Sequence, residues 1–125
     1  MQRIFLKGIK GGTGCTAITA NLACVLKKSD IHVIAVDLDP KSDLGLHFGL
    51  PWKNTQGWSN AENFDDVLKC FYQDNDGVIF LPHGNKIPTP TNINSLIDSC
   101  KKLDTPKNTW MLFDCPSHID ISHYT

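Results

Sequence analysis

No stretch of this 125-residue chain approaches the ~18–20 consecutive apolar residues that a membrane-crossing helix needs. The N-terminus runs straight into a short apolar run and a glycine-rich loop, with no extended hydrophobic leader, so a cytoplasmic location is the expectation. A basic block is missing too. Lys and Arg number 12 against 13 Asp and Glu, a formal net charge of −1 at pH 7. That balance argues against a large nucleic-acid surface, which needs clustered cations to meet phosphates. There is no C-x-x-C pair. Cys15, Cys24, Cys70, Cys100 and Cys115 are odd in number and far apart, which favours free thiols over a disulfide framework or a zinc site. Internal repeats and low-complexity segments are absent as well.

What is present reads as one globular α/β unit. Apolar residues make up 41% and charged residues 20%, ordinary values for a folded domain. The run Ile4-Phe5-Leu6-Lys7-Gly8-Ile9 suits a buried strand, and Ala17 to Lys28 has a helical pattern. In that helix Ile18, Leu22, Val25 and Leu26 form one apolar stripe, with Ala17, Ala20 and Ala23 keeping it slim. His32–Asp37, Val78–Pro82 and Thr109–Asp114 are the further strands, nearly continuous in apolar residues as strands buried on both faces tend to be. Helical stripes are expected over Ala61–Gln73 and from Ile93 to Leu103, the latter behind a Thr91 or Asn92 cap. Asp74-Asn75-Asp76-Gly77 marks a turn, and Trp52 and Trp58 suit packing better than binding. The order β-α-β-α-β-α-β predicts a doubly wound, mostly parallel sheet of four strands.

Between the first strand and helix stands Lys10-Gly11-Gly12-Thr13-Gly14-Cys15-Thr16. Strand, glycine-rich turn and helix in that order form an anion cradle, because glycines let successive N–H groups point inward and the helix start adds a positive dipole end. Phosphate is the natural guest, and Thr16 stands where a hydroxyl can ligate magnesium. G-G-x-G also serves as a plain tight turn. The pattern G-x-x-x-x-G-K-[ST] would place Gly at Ile9 and Lys at Cys15, so the loop lacks the usual phosphate-binding lysine, and Lys10 is the cation it offers instead.

The second strand closes on Asp37-Leu38-Asp39-Pro40, whose two carboxylates alternation sends to one side, where α/β sheets place ligands. Asp-Pro is also common turn chemistry. Asp114, behind the last apolar run, has the shape of a carboxylate held near magnesium through water. Loop, Asp37/Asp39 and Asp114 all fall at C-terminal strand ends, and a flavodoxin-like reading accounts for none of the three acids together.

With these residues the chain resembles the MinD/ParA family of deviant Walker-A ATPases. The matching positions are Lys10-Gly11-Gly12-Thr13-Gly14, Thr16, Asp37-Leu38-Asp39-Pro40 and Phe113-Asp114-Cys115-Pro116. Leu50, Gln56-Gly57-Trp58, Phe80-Leu81-Pro82-x-Gly84 and Trp110-x-Leu112-x-Asp114-x-Pro116 fit its cellulose-biosynthesis branch, the BcsQ type, which also lacks the loop lysine. The likeness covers the whole chain but only about the first half of the family's domain, so residues 1–125 are expected to be the N-terminal portion of a nucleotide-binding domain.

By that resemblance Lys10 reaches across a homodimer to the partner's ATP, and Gly11, Gly12, Thr13, Gly14, Cys15, Thr16 and Ala17 line the phosphates. Thr16, Asp37 and Asp114 serve Mg²⁺, and Asp39 orients the attacking water. The implied protein is cytoplasmic, peripheral to an inner-membrane cellulose synthase, partnered with that enzyme's accessory proteins and not with nucleic acid. The alternatives are a partitioning or positioning ATPase of the ParA/MinD kind and a truncated, non-catalytic interaction module. Cys15 in place of lysine removes a cation from the β/γ-phosphates, so weak hydrolysis is expected. A helix-start cysteine is further expected to have a lowered pKa, giving a thiolate that repels phosphate and an oxidisable switch.

Overall fold

The computed structural model describes residues 2–7, 15–50 and 56–116. Five strands form one sheet: β1 (Gln2–Lys7), β2 (His32–Asp37), β3 (Tyr72–Gln73), β4 (Ile79–Leu81) and β5 (Thr109–Cys115), in spatial order β1-β5-β2-β4-β3. The pairs β1–β5, β5–β2 and β2–β4 are parallel, and β3 lies antiparallel on β4. Four helices, α1 (Cys15–Lys28), α2 (Leu44–His47), α3 (Phe64–Leu68) and α4 (Pro90–Lys101), complete the described chain with a single 3-10 turn at Trp58–Asn60. None of the described helices is long and apolar enough to cross a membrane.

Side-chain alternation builds two cores, one on each face of the sheet. Val33, Ala35, Phe80 and Leu112 face α1 and α2, where they meet Ala20, Ala23, Leu44 and Phe48. Ile34, Val36, Leu81, Met111 and Phe113 face the other way, against Val67 of α3 and Leu96, Ile97 and Cys100 of α4. Phe5 stacks on its register partner Phe113 with ring centroids 4.5 Å apart. The doubly wound expectation holds, with the four expected strands starting within two residues of their expected positions and a fifth, β3, added at the edge.

Three details differ from the sequence expectation. In α1 the expected slim face holds, with Thr19, Ala20 and Ala23 buried and Leu22 and Leu26 packed beside them, but Ile18 and Val25 of the expected stripe are about 60% exposed. The expected helix over 61–73 shrinks to α3, started by the Asn63 side chain accepting from Asp66 N at 2.9 Å. Tyr72 and Gln73 instead pair with Phe80 and Ile79, because the turn at 74–77 folds the chain back. There Asp74 Oδ1 accepts from Asp76 N and Val78 N, and Gly77 takes the left-handed φ of +89°. Lastly, α4 begins earlier than expected, at Pro90, behind a capping box in which Thr89 and Asn92 exchange side-chain bonds.

A clamp ties the loop after β4 to the 3-10 turn. Trp58 N donates to Pro82 O at 3.0 Å, Ser59 N to His83 O at 2.8 Å, and Asn60 Nδ2 to Asn85 Oδ1 at 2.6 Å. The backbones approach so closely at Gly57 that a Cβ there would overlap His83 and Gly84. Gly57→Ala is therefore expected to cost roughly 1–3 kcal/mol by overpacking, measured as a lowered urea midpoint with an unchanged m value.

Candidate functional site

The tips of β2 and β5 and the start of α1 meet on one side of the sheet. Asp37 and Asp114 are register partners on adjacent strands. Counting back by twos, Asp37 shares a face with Val33 and Ala35, and Asp114 with Leu112, all of them on the α1 side. Thr16, in the first turn of α1, donates its hydroxyl to Asp114 Oδ2 at 2.8 Å across 98 residues of sequence. Thr19 Oγ1 donates to Cys15 O at 2.8 Å, and Ala17 is half-buried in the same turn. Leu38 N donates to Asp114 O at 2.9 Å, holding the exit of β2 against β5.

The acidic tip is built by its own backbone. Asp37 Oδ1 accepts from Asp39 N at 3.0 Å, and Asp39 Oδ1 accepts from Lys41 N at 3.0 Å. Asp37 is fully buried, and its Oδ2 has no hydrogen-bond partner among the described residues. Burial, opposed by the Asp39 N–H and reinforced by the charges of Asp114 and Asp39, holds the Asp37 carboxyl well above the ordinary range. Asp114 is also raised, first by burial, while bonds from Thr16 and Cys15 pull it back. Among the described residues, no three His, Cys, Asp or Glu side chains are grouped so as to hold a metal by themselves. A magnesium ion here would take the Thr16 hydroxyl and complete its shell with water and a ligand's oxygens.

Of the sequence-derived site residues, the structure gathers Cys15, Thr16, Ala17, Asp37, Asp39 and Asp114 into this one region. Lys10, Gly11, Gly12, Thr13 and Gly14 lie outside the described residues, as does Trp52. The expected thiolate at Cys15 is overturned. Burial and the Asp114 charge beside it push the thiol up to about 11, so Cys15 is a neutral thiol at neutral pH.

Two residues given no role at the site by sequence belong to its wall. Trp58 is buried and donates Nε1 to Asp37 O at 2.7 Å, which pins the last residue of β2. His83, 1% exposed, meets the Trp58 ring edge-on with centroids 4.8 Å apart. The sequence signal for both was their place inside Gln56-Gly57-Trp58 and Phe80-Leu81-Pro82-x-Gly84, the two segments that the clamp joins.

Asp37 sets a pH dependence whose sign follows from its direction. A carboxyl raised in the fold contributes stability that is complete below its unfolded value of 3.8 and is lost as pH rises through the raised value. Asp37→Asn cannot ionise. Its melting temperature relative to the unsubstituted protein is expected to rise by a few degrees between about pH 4 and neutral pH, followed by thermal melts in a pH series.

The family model for cellulose biosynthesis protein BcsQ matches residues 1–124. Cellulose biosynthesis protein BcsQ of Escherichia coli (strain K12) is 41% identical over 61 residues, covering 49% of this chain and 24% of the relative. Among solved structures, the cell division ATPase MinD of Pyrococcus furiosus superposes with a TM-score of 0.73 at 26% identity, over 96% of this chain and 52% of that one. Cobyrinic acid a,c-diamide synthase of Mycobacterium smegmatis, with bound ADP and magnesium, gives a TM-score of 0.75 at 22% identity, over 94% and 51% respectively. The chain thus spans about half the length of these solved structures. With the family model matched along nearly its whole length, the chain belongs to the BcsQ family, within the MinD/ParA group of P-loop proteins.

Proposed function

We propose that this chain binds ATP with Mg²⁺ and acts as a nucleotide-dependent dimer that supports bacterial cellulose biosynthesis and secretion. The observation that carries the reading is the Thr16–Asp114 bond at 2.8 Å, which unites a helix-start hydroxyl and a strand-tip carboxylate from opposite ends of the chain. The donor set suits magnesium, a hard cation that prefers oxygen and keeps several waters. Buried carboxylates with raised pKa values gain from a cation placed among them. The magnesium-bound and ADP-bound synthase and the MinD ATPase, which share this fold, support the same ligand class.

In this reading Lys10 meets the partner subunit's nucleotide, while Gly11, Gly12, Thr13, Gly14, Cys15, Thr16 and Ala17 line the phosphates. Thr16 would hold the metal through its hydroxyl, and Asp37 and Asp114 would support its waters. Asp39 accepts a hydrogen from the attacking water. Bound magnesium supplies charge neutralisation at the phosphates. Hydrolysis is slow, because Cys15 is a neutral thiol where a lysine ammonium would stabilise developing charge. The site of action is the cytoplasmic side of the inner-membrane cellulose synthase, with that enzyme's accessory proteins as partners.

Equilibrium titration with a fluorescent ATP analogue tests the ligand. Binding is expected to tighten with Mg²⁺, Thr16→Ala to abolish that tightening, and Lys10→Ala to weaken binding under dimer-forming conditions. Absence of any nucleotide affinity in the intact protein would falsify the reading. Cys15→Lys restores the missing cation and is expected to raise single-turnover hydrolysis by about tenfold or more.

A further inference from the structure

His83 follows β4, the strand beside β2, and is held from several directions. Ser59 N donates to its carbonyl, Gly57 seats against its backbone, and the Trp58 ring meets its imidazole edge-on. Its Nδ1 lies 3.0 Å from Gly84 O. A carbonyl only accepts, so Nδ1 carries the hydrogen. Burial lowers the ring's pKa against the opposing pull of Asp39, which keeps the imidazole neutral and leaves Nε2 as a bare acceptor.

That acceptor is buried and has no partner among the described residues. Packing alone gives no reason for it. An apolar ring in the same place would give up the Nδ1 bond to Gly84 O but would not bury an unpaired Nε2, so the Gly84 bond explains one ring nitrogen and not the other. Asp39, at the tip of the neighbouring strand, is the charged group whose field reaches the ring; it has Oδ1 on Lys41 N and remains 9% exposed. A water between them would have two acceptors, one for each hydrogen.

We propose that His83 is a positioning residue whose Nε2 accepts one hydrogen of a water that gives its other hydrogen to Asp39. Two acceptors fix the water's orientation and turn its lone pairs away from both residues. No proton is transferred at His83. The water rests on the buried, unpartnered Nε2 and on the nearby Asp39 charge; its use as the nucleophile toward a terminal phosphate rests on the nucleotide reading above.

Nitrogen-15 NMR of the full chain without nucleotide decides the first part. Nδ1 is expected to be protonated and Nε2 to resonate as a hydrogen-bonded acceptor, with Asp39→Ala moving Nε2 toward the unbonded position. An Nε2–H ring, or a resonance indifferent to Asp39→Ala, overturns the proposal. With ATP and Mg²⁺ as the probe, His83→Leu is expected to slow single-turnover hydrolysis roughly tenfold at unchanged ATP affinity. His83→Gln, whose Oε1 can stand in for Nε2, recovers most of the rate and remains informative if the leucine variant fails to fold. Equal rates in the unsubstituted and leucine proteins overturn the positioning role. Failure of the protein to bind ATP overturns the nucleotide reading alone, since the NMR result judges the water without it.

Discussion

Alternation along two neighbouring strands is the constraint on which this site depends. Because β2 and β5 pair in parallel register, Asp37 and Asp114 emerge side by side, and period-two geometry sends both to the face that α1 covers. A one-residue slip of either strand would carry its acid to the α4 side and bury Met111 or Ile34 against the wrong helices. The same register that fills the two cores with Val33, Ala35 and Leu112 on one side and Ile34, Met111 and Phe113 on the other also delivers a carboxylate to Thr16. Packing and chemistry are set by one choice.

The acids are costly where they stand. Among the described residues, the fully buried Asp37 has one unpartnered oxygen, and Asp114 beside it has its charge stabilised by bonds from Thr16 and Cys15. Buried carboxylates that disfavour ionisation recur where a protein is arranged for a ligand rather than for stability. The neutral thiol of Cys15 fits that balance: a thiolate next to Asp114 would add a further negative charge to an already unfavourable cluster.

The second support is the clamp between residues 57–60 and 82–85. Its backbone bonds hold Trp58 so that its indole N–H reaches Asp37 O, and they hold His83 against the Trp58 ring. Gly57 and Gly84 serve that contact for different reasons. Gly57 is needed because its neighbour's backbone occupies the space of a Cβ, whereas Gly84 takes the left-handed φ of +89°. Rigid walls of this kind are what a site needs if a water is to be oriented rather than merely admitted.

Much of this was legible in the residues themselves. The alternating apolar runs, the turn at Asp74–Gly77 and the three strand-end acids follow from local periodicity and from the conformations that Gly, Asp and Pro favour, which any fold must respect. Residue order alone thus determined the doubly wound class and the candidate acids. Tertiary structure decided what local patterns do not carry. It decided which half of the α1 stripe is covered: Leu22 and Leu26 pack on the sheet beside Ala20 and Ala23, while Ile18 and Val25 stay exposed. It drew Tyr72 out of a helical pattern into an edge strand, because backbone pairing with β4 outweighed the stripe. It also reversed the expected acidity of Cys15 and brought Trp58 and His83 to the strand tips, since burial and charge proximity depend on which distant segments meet.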